Sequence, residues 1–166
     1  MKNIVLIGMP GTGKSTVGVI LAKRMGYGFL DTDILLAEHE GRTLPVIIAE
    51  EGFEGFLEAE GRMGITIDRE STVIATGGSM VFSEAAMNNL RRNGVVIWLK
   101  TSLAELEKRL YATRETRGVA APKEMSIAEI YEQRRPLYER YADLTVNCLS
   151  GTDNVVHQIL ELLDNR

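Results

Sequence analysis

The sequence predicts an α/β protein built on a parallel sheet with helices on both faces, and three observations carry that prediction. Short apolar runs alternate with amphipathic segments along the chain, as successive strand and helix units require. Two of those runs, Ile4-Val5-Leu6-Ile7 and Val95-Val96-Ile97-Trp98-Leu99, are unbroken, as expected of strands buried on both faces. Between the first run and a helical pattern lies a glycine-rich turn, Gly8-Met9-Pro10-Gly11-Thr12-Gly13-Lys14-Ser15-Thr16.

That turn has the spacing of a P-loop: a glycine, four residues, then Gly-Lys-Ser, set between a strand and a helix N-terminus. Its glycines let successive N–H groups point into one concavity, and the following helix adds its own unpaired N–H groups and dipole, so the stretch reads as an anion cradle. In such a loop the stretch from Gly11 to Thr16 surrounds the phosphates of a nucleotide. Lys14 reaches the β- and γ-phosphates, and the Ser15 hydroxyl holds Mg²⁺. A ligand-free glycine turn is the plainer alternative, and it lacks a reason for the lysine and serine.

Bulk properties narrow the class. A chain of 166 residues is expected to form one domain, spanning 1–166, and to bury about two-thirds of its unfolded surface. The single cysteine, Cys148, cannot form an internal disulfide and reads as a small apolar residue near a strand end. The N-terminus passes from Met1-Lys2-Asn3 into a core strand and no apolar run approaches a membrane span, so a cytoplasmic protein without a membrane partner is expected. Net charge is −4, with the basic residues scattered, which argues against a nucleic-acid partner. A monomer acting on a small-molecule substrate is the expectation.

In chain order, strands are expected over about 2–7, 27–30, 71–75, 94–99 and 143–147. Helices are expected over about 14–25, 33–40, 43–50, 53–69, 83–92, from Ser102 onward, 126–141 and 152–164. Val17, Ile20, Leu21 and Met25 give the first helix its apolar side, and Gly26 ends it. Gly41 and Gly52 separate the next three, and Ser102 with Glu105 reads as a capping box. Pro136 predicts a kink or break near Arg134 and Arg135. Val155, Val156, Ile159, Leu160 and Leu162 are expected to face the sheet. Asp31-Thr32-Asp33 after the second strand and Thr76-Gly77-Gly78-Ser79 after the third leave the carboxyl edge, where α/β folds bind ligands. The polar loop over about 113–123, with Arg114 and Arg117, has the length of a functional lid.

Taken together and in this order, the P-loop, the Asp-Thr-Asp, the glycine turn and the arginine-bearing loop resemble the shikimate kinase family over nearly the whole chain. The resemblance implies a five-stranded parallel sheet in the order 2-3-1-4-5 and transfer of the γ-phosphoryl of ATP to a hydroxyl of shikimate. It implies that Ser15 and Asp31 hold Mg²⁺, Asp31 through water, and that Asp33 binds the substrate's hydroxyls and accepts the attacking proton. Gly77 and Gly78 match the substrate-contacting turn, with acceptor-binding helices over about 33–62. Arg109 matches an arginine near the adenine, Arg117 the lid arginine over the phosphates, and Arg134 the arginine that pairs with the shikimate carboxylate. Lys14, Asp33 and Arg117 are thereby the expected catalytic residues.

Three positions depart from the family pattern. Leu57 follows Phe56 where the family places a second carboxylate-clamping arginine, which leaves Glu60 without the partner it would orient. Losing one charge-assisted hydrogen bond removes about 1.5–3 kcal/mol of binding. Ser79 replaces a third glycine, and Gly118 replaces a stiff lid proline with a flexible residue. Arg62 or Arg135 could supply the missing guanidinium from a neighbouring turn.

Plainer roles compete at several positions. Asp31 and Asp33 could cap the next helix, Arg134-Arg135 could be an ordinary helix face, and Arg114 reads as a solvated charge. His39 and His157 have no partner at metal or triad spacing. Tyr131, Tyr138 and Tyr141 read as packing and rim residues. At the level of function, two alternatives stand beside a shikimate kinase: a kinase of the same family with another hydroxylated acceptor, favoured by Leu57, and a non-catalytic ATP-binding regulatory module.

Overall fold

The computed structural model describes residues 1–111, 120–122 and 124–166. Strands β1 (Asn3–Ile7), β2 (Gly28–Asp31), β3 (Thr72–Ala75), β4 (Gly94–Lys100) and β5 (Leu144–Asn147) form a parallel sheet in the order β2-β3-β1-β4-β5. The expected order and all five expected strands are present. Register aligns the ends that matter: Leu6 stands opposite both Ala75 and Ile97, and Asp31 opposite Ala75. The chain therefore leaves β1, β2 and β3 at one level, delivering the P-loop, Asp31-Thr32-Asp33 and Thr76-Gly77-Gly78 to one edge.

Helices α1 (Lys14–Met25), α2 (Thr32–Glu40), α3 (Leu44–Ile65), α4 (Glu84–Arg92), α5 (Leu103–Tyr111), α6 (Ile127–Tyr141) and α7 (Thr152–Asp164) cover the sheet. The strand alternation divides the core in two. Val5, Ile7, Ile74, Val96 and Trp98 pack with α3, α4 and α6, while Ile4, Leu6, Val73, Ile97 and Leu99 pack with α1 and α7. Full burial of each such side chain stabilises by about 1.5–3 kcal/mol. Among the described residues no helix is long and apolar enough to cross a membrane.

Three details differ from expectation, although Gly52, with its non-helical backbone (φ 73°, ψ 176°), does separate two helical segments of α3 as expected. That element ends at Ile65 and not near 69, because Thr66 and Ile67 turn their N–H groups to the Met63 and Gly64 carbonyls, a tighter spacing than an α-helix continues. Helix α6 runs unbroken through Pro136: the carbonyl deprived of its donor is that of exposed Glu132, where water can serve. In α7 Leu162 lies at the edge of the apolar stripe and is 37% exposed, and Leu163 packs in its stead.

Candidate active site

The P-loop backbone can exist only with its glycines. Gly8, Gly11 and Gly13 all take positive φ (146°, 84° and 88°), and a β-carbon on Gly8 would fall 2.6 Å from the Leu99 carbonyl oxygen. The resulting turn opens into a cavity of about 620 Å³, which Lys14, Ser15, Asp33, Gly78, Ser79 and Arg134 reach from four different segments. Thr12 and Thr16 also line a second cavity of about 530 Å³ beside Arg109 and the Cys148-to-Thr152 loop. The expected P-loop residues thus border one or both spaces.

Lys14 is buried, and its Nζ donates to the Gly8 and Met9 carbonyls, each at 2.8 Å. Burial pushes its pKa down to about 8, against the pull of Asp33 and Asp31 and with the help of the Arg134 charge. An ammonium has three N–H donors, so one remains for a phosphate oxygen.

Asp31 does two jobs. Its Oδ1 accepts from the Asp33 and Ile34 N–H groups (2.9 and 3.2 Å), capping α2, and its Oδ2 accepts from the Ser15 hydroxyl at 2.6 Å. The capping role that either aspartate could have filled therefore belongs to Asp31, and Asp33 is left to the cavity. Burial raises the Asp33 pKa, the Asp31 carboxylate adds to the rise, and Lys14 opposes it.

Beneath the cavity, Gly77 gives its N–H to the Thr32 hydroxyl at 2.9 Å. A β-carbon on Gly77 would fall 2.5 Å from Asp33 Oδ1 and 2.7 Å from Glu60 Oε2, so the missing side chain is what lets two carboxyl groups approach the turn. Gly78 is held by its carbonyl, which accepts from the fully buried Tyr138 hydroxyl at 2.7 Å, and the Tyr138 ring stacks on Trp98 with centroids 5.8 Å apart. Burial raises the Tyr138 pKa, so the phenol stays a donor.

Arg134 is 1% exposed. Its Nη2 donates to the Ala120 carbonyl, its guanidinium lies 5.4 Å over the Phe82 ring, and Nε and Nη1 have no hydrogen-bond partner among the described residues. Unmet guanidinium donors at a cavity wall suit a carboxylate. Arg109 lines both cavities, donating through Nε to Glu105 at 2.9 Å and through Nη1 to the Gly11 carbonyl at 2.9 Å. That engagement keeps Glu105 from the reciprocal half of the expected capping box, although its N–H does bond Ser102 Oγ at 3.3 Å.

Arg114, Arg117, Gly118 and Lys123 lie outside the described residues, and with them most of the expected lid. Arg62 and Arg135 do not replace the missing guanidinium: Arg62 faces a separate shallow groove and pairs loosely with Glu58 at 4.0 Å, while Arg135 pairs with Glu132 and Glu139 on the outer face of α6. Leu57 lines that same groove, whose wall includes the Phe82 ring under Arg134. His39 and His157 are surface residues that pair with glutamates.

Two residues take places the sequence did not assign: Glu60, left there without a partner, and Tyr138, read as a packing or rim residue. Glu60 is 2% exposed and accepts from the Ser79 hydroxyl at 2.8 Å. Its signal was an acid inside the apolar stripe of Phe56, Ala59 and Met63. Tyr138 lies four residues after Arg134, hence on the same buried face of α6.

The shikimate kinase family model matches residues 10–164. The chain belongs to the shikimate kinase family. A shikimate kinase of Synechococcus sp. (strain RCC307) is 39% identical over 165 residues, covering 97% of this chain and 84% of the relative. Shikimate kinase 2 of Sodalis glossinidius is 34% identical over 166 residues, covering 98% and 95%. A solved shikimate kinase from Acinetobacter baumannii, in complex with shikimate, superposes with a TM-score of 0.88 at 30% identity, covering 100% of this chain and 95% of that one. ATP-dependent phosphotransfer is the family's chemistry, and the cavity edge described above is where this family member gathers its ionisable side chains.

Proposed function

We propose that this protein transfers the γ-phosphoryl of ATP to a hydroxyl of shikimate, giving shikimate 3-phosphate and ADP. The observation that carries the proposal is the convergence of Lys14, Asp33 and Arg134 on one cavity, with two Arg134 donors unmet among the described residues. The P-loop amides and Lys14 bind the triphosphate, with Thr12, Thr16 and Arg109 directing the nucleoside toward the second cavity. Arg134 binds the acceptor's carboxylate, the Gly77-Gly78 backbone admits its ring, and Asp33 accepts the proton of the attacking hydroxyl. The oxygen so freed bonds to the γ-phosphorus as the bond to the β–γ bridging oxygen breaks and ADP leaves. A raised pKa makes Asp33 a stronger base than an exposed aspartate. Arg117 is assigned to the phosphate charge by its place in the family pattern.

Ser15 Oγ and Asp31 Oδ2, an oxygen pair at the mouth of the P-loop, suit Mg²⁺, which binds one or two carboxylates together with substrate phosphates. Those two residues would hold the ion, which would neutralise phosphate charge. The scattered basic residues and net charge of −4 support a small-molecule partner in preference to nucleic acid.

A coupled ADP-release assay tests the proposal, with shikimate first and carboxylate-free hydroxylated metabolites beside it. Shikimate-dependent release that is lost in Lys14→Ala is expected. Faster release with a carboxylate-free acceptor would instead favour the second reading, another hydroxylated metabolite, which Leu57 motivates.

A further inference from the structure

The roles assigned so far leave Ser79 and the buried Glu60 behind it unused. Oε1 of Glu60 accepts from Ser79 Oγ at 2.8 Å, whereas Oε2 has no partner among the described residues. The charged and titratable groups that act on this carboxyl are Asp33 from α2, Lys14 from α1, and Arg134 and Tyr138 from α6. Lys14 is committed to the P-loop carbonyls, and the hydrogen bonds of Arg134 and Tyr138 go to Ala120 and Gly78. Glu60 is thus 2% exposed with Oε2 unpaired among the described residues, conditions that disfavour the charged form. Burial pushes its pKa up to about 7 against the Ser79 hydrogen bond, with Asp33 adding to the rise and Arg134 and Lys14 opposing it.

A serine hydroxyl has one hydrogen to give. When Glu60 is ionised, Ser79 must donate that hydrogen to Oε1, and it offers the cavity only lone pairs. When Glu60 is protonated, the carboxylic acid donates to Ser79 Oγ across the same 2.8 Å, and the serine hydrogen is released. Ser79 and Arg134 line the same cavity.

We propose that Ser79 is a specificity-determining residue for the acceptor and Glu60 its positioning residue: with a proton on Glu60, the Ser79 hydroxyl donates to the acceptor's carboxylate beside Arg134, supplying the second arm that Leu57 cannot. The inference rests on the reading of shikimate as acceptor. It ties acceptor binding, and not ATP binding, to the protonation of Glu60.

The test is the pH dependence of KM for shikimate and for ATP between about pH 6 and about pH 8.5, in the wild type, Ser79→Ala and Glu60→Gln. In the wild type KM for shikimate rises about tenfold across that range, the value of one hydrogen bond to a charged group, whereas KM for ATP, which follows the Lys14 ammonium with its pKa lowered to about 8, changes alike in all three proteins. Ser79→Ala has the high value at every pH, and Glu60→Gln loses the pH dependence, since an amide cannot ionise. With shikimate methyl ester as acceptor, Ser79→Ala and the wild type differ by less than about twofold. Ser79→Gly repeats the Ser79→Ala test if the alanine variant melts early. A flat wild-type KM for shikimate, or an unchanged dependence in Glu60→Gln, overturns this inference while leaving the kinase reading intact. Absence of any shikimate-dependent ADP release in the wild type overturns the acceptor reading and this inference with it.

Discussion

Replacing Arg134 with methionine separates a binding residue from a structural one. The side chain is 1% exposed, yet Nε and Nη1 make no hydrogen bond among the described residues. Each buried donor left unmet costs about 1–3 kcal/mol, or about 2–6 for the two. Against that stand the charged hydrogen bond to the Ala120 carbonyl, about 1.5–3 kcal/mol, and the contact with the Phe82 ring, about 1–2 kcal/mol. These contributions nearly cancel. Arg134→Met, similar in length and without the charge, should change the unfolding free energy by less than about 2 kcal/mol, whereas an arginine removed from a satisfied buried ion pair costs about 3–5. Binding responds differently, because the two idle donors are the ones a carboxylate would take. Two charge-assisted bonds at about 1.5–3 kcal/mol each amount to at least about a hundredfold rise in KM for shikimate, with KM for ATP within about threefold. Urea unfolding and the ADP-release assay measure both. A variant that loses about 3 kcal/mol or more of stability and keeps its KM would show that Arg134 is a packing residue.

Asp33→Asn should lower kcat by about a hundredfold to ten-thousandfold with little change in either KM, because it removes the proton acceptor and keeps the shape; a variant at full rate would place the base elsewhere. Gly77→Ala puts a methyl group 2.5 Å from Asp33 Oδ1 and 2.7 Å from Glu60 Oε2, so kcat should fall at least about tenfold with the secondary structure by circular dichroism unchanged; wild-type turnover would mean that the approach of these carboxyls is unimportant. Leu57→Arg places a guanidinium beside the Phe82 ring that carries Arg134, and KM for shikimate should drop about tenfold; an unaltered KM counts against the clamp. Glu60, lifted from 4.5 to about 7, binds more protons folded than unfolded between those values, so its contribution to stability is full below pH 4.5 and lost as pH rises through about 7. The ceiling is about 3 kcal/mol, and Glu60→Gln should flatten the corresponding fall in Tm; parallel Tm–pH curves for the two proteins would refute the shift.

The sheet was legible because its evidence is local. Apolar runs and a P-loop of fixed spacing point to the strands and the ligand edge without any knowledge of side-chain contacts, the strand order came with the family resemblance, and Lys14, Ser15, Asp33 and Arg134 all meet at that edge. What the sequence could not reveal was which of two equivalent groups takes which task. Asp31 and Asp33 are both acids before a helix, and only the reach of Asp31 to both the α2 amides and Ser15 assigns the cap to one of them. Glu60 and Ser79 are 19 positions apart and meet only because α3 passes under the turn after β3. Pro136 does not break its helix for a physical reason: the carbonyl it deprives of a donor is that of Glu132, on an exposed face where water can serve.

The charges around the cavity floor explain why a protein of this kind retains so many poorly satisfied groups. Asp33 and Glu60 face Lys14 and Arg134, and with all four ionised the local sum is zero. Such a neutral floor is poorly suited to two anionic ligands, a triphosphate and a carboxylate, arriving together. Burial resolves the mismatch from both sides of the pair: it lifts the carboxyls toward neutrality, Glu60 to about 7, and it leaves Nε and Nη1 of Arg134 unmet among the described residues, so the site regains positive character without gaining a cation. The two packed apolar faces of the sheet offset that cost. The loss of an arginine at position 57 is then less damaging than a count of clamp residues implies, since a protonated Glu60 removes a negative charge that opposes Arg134.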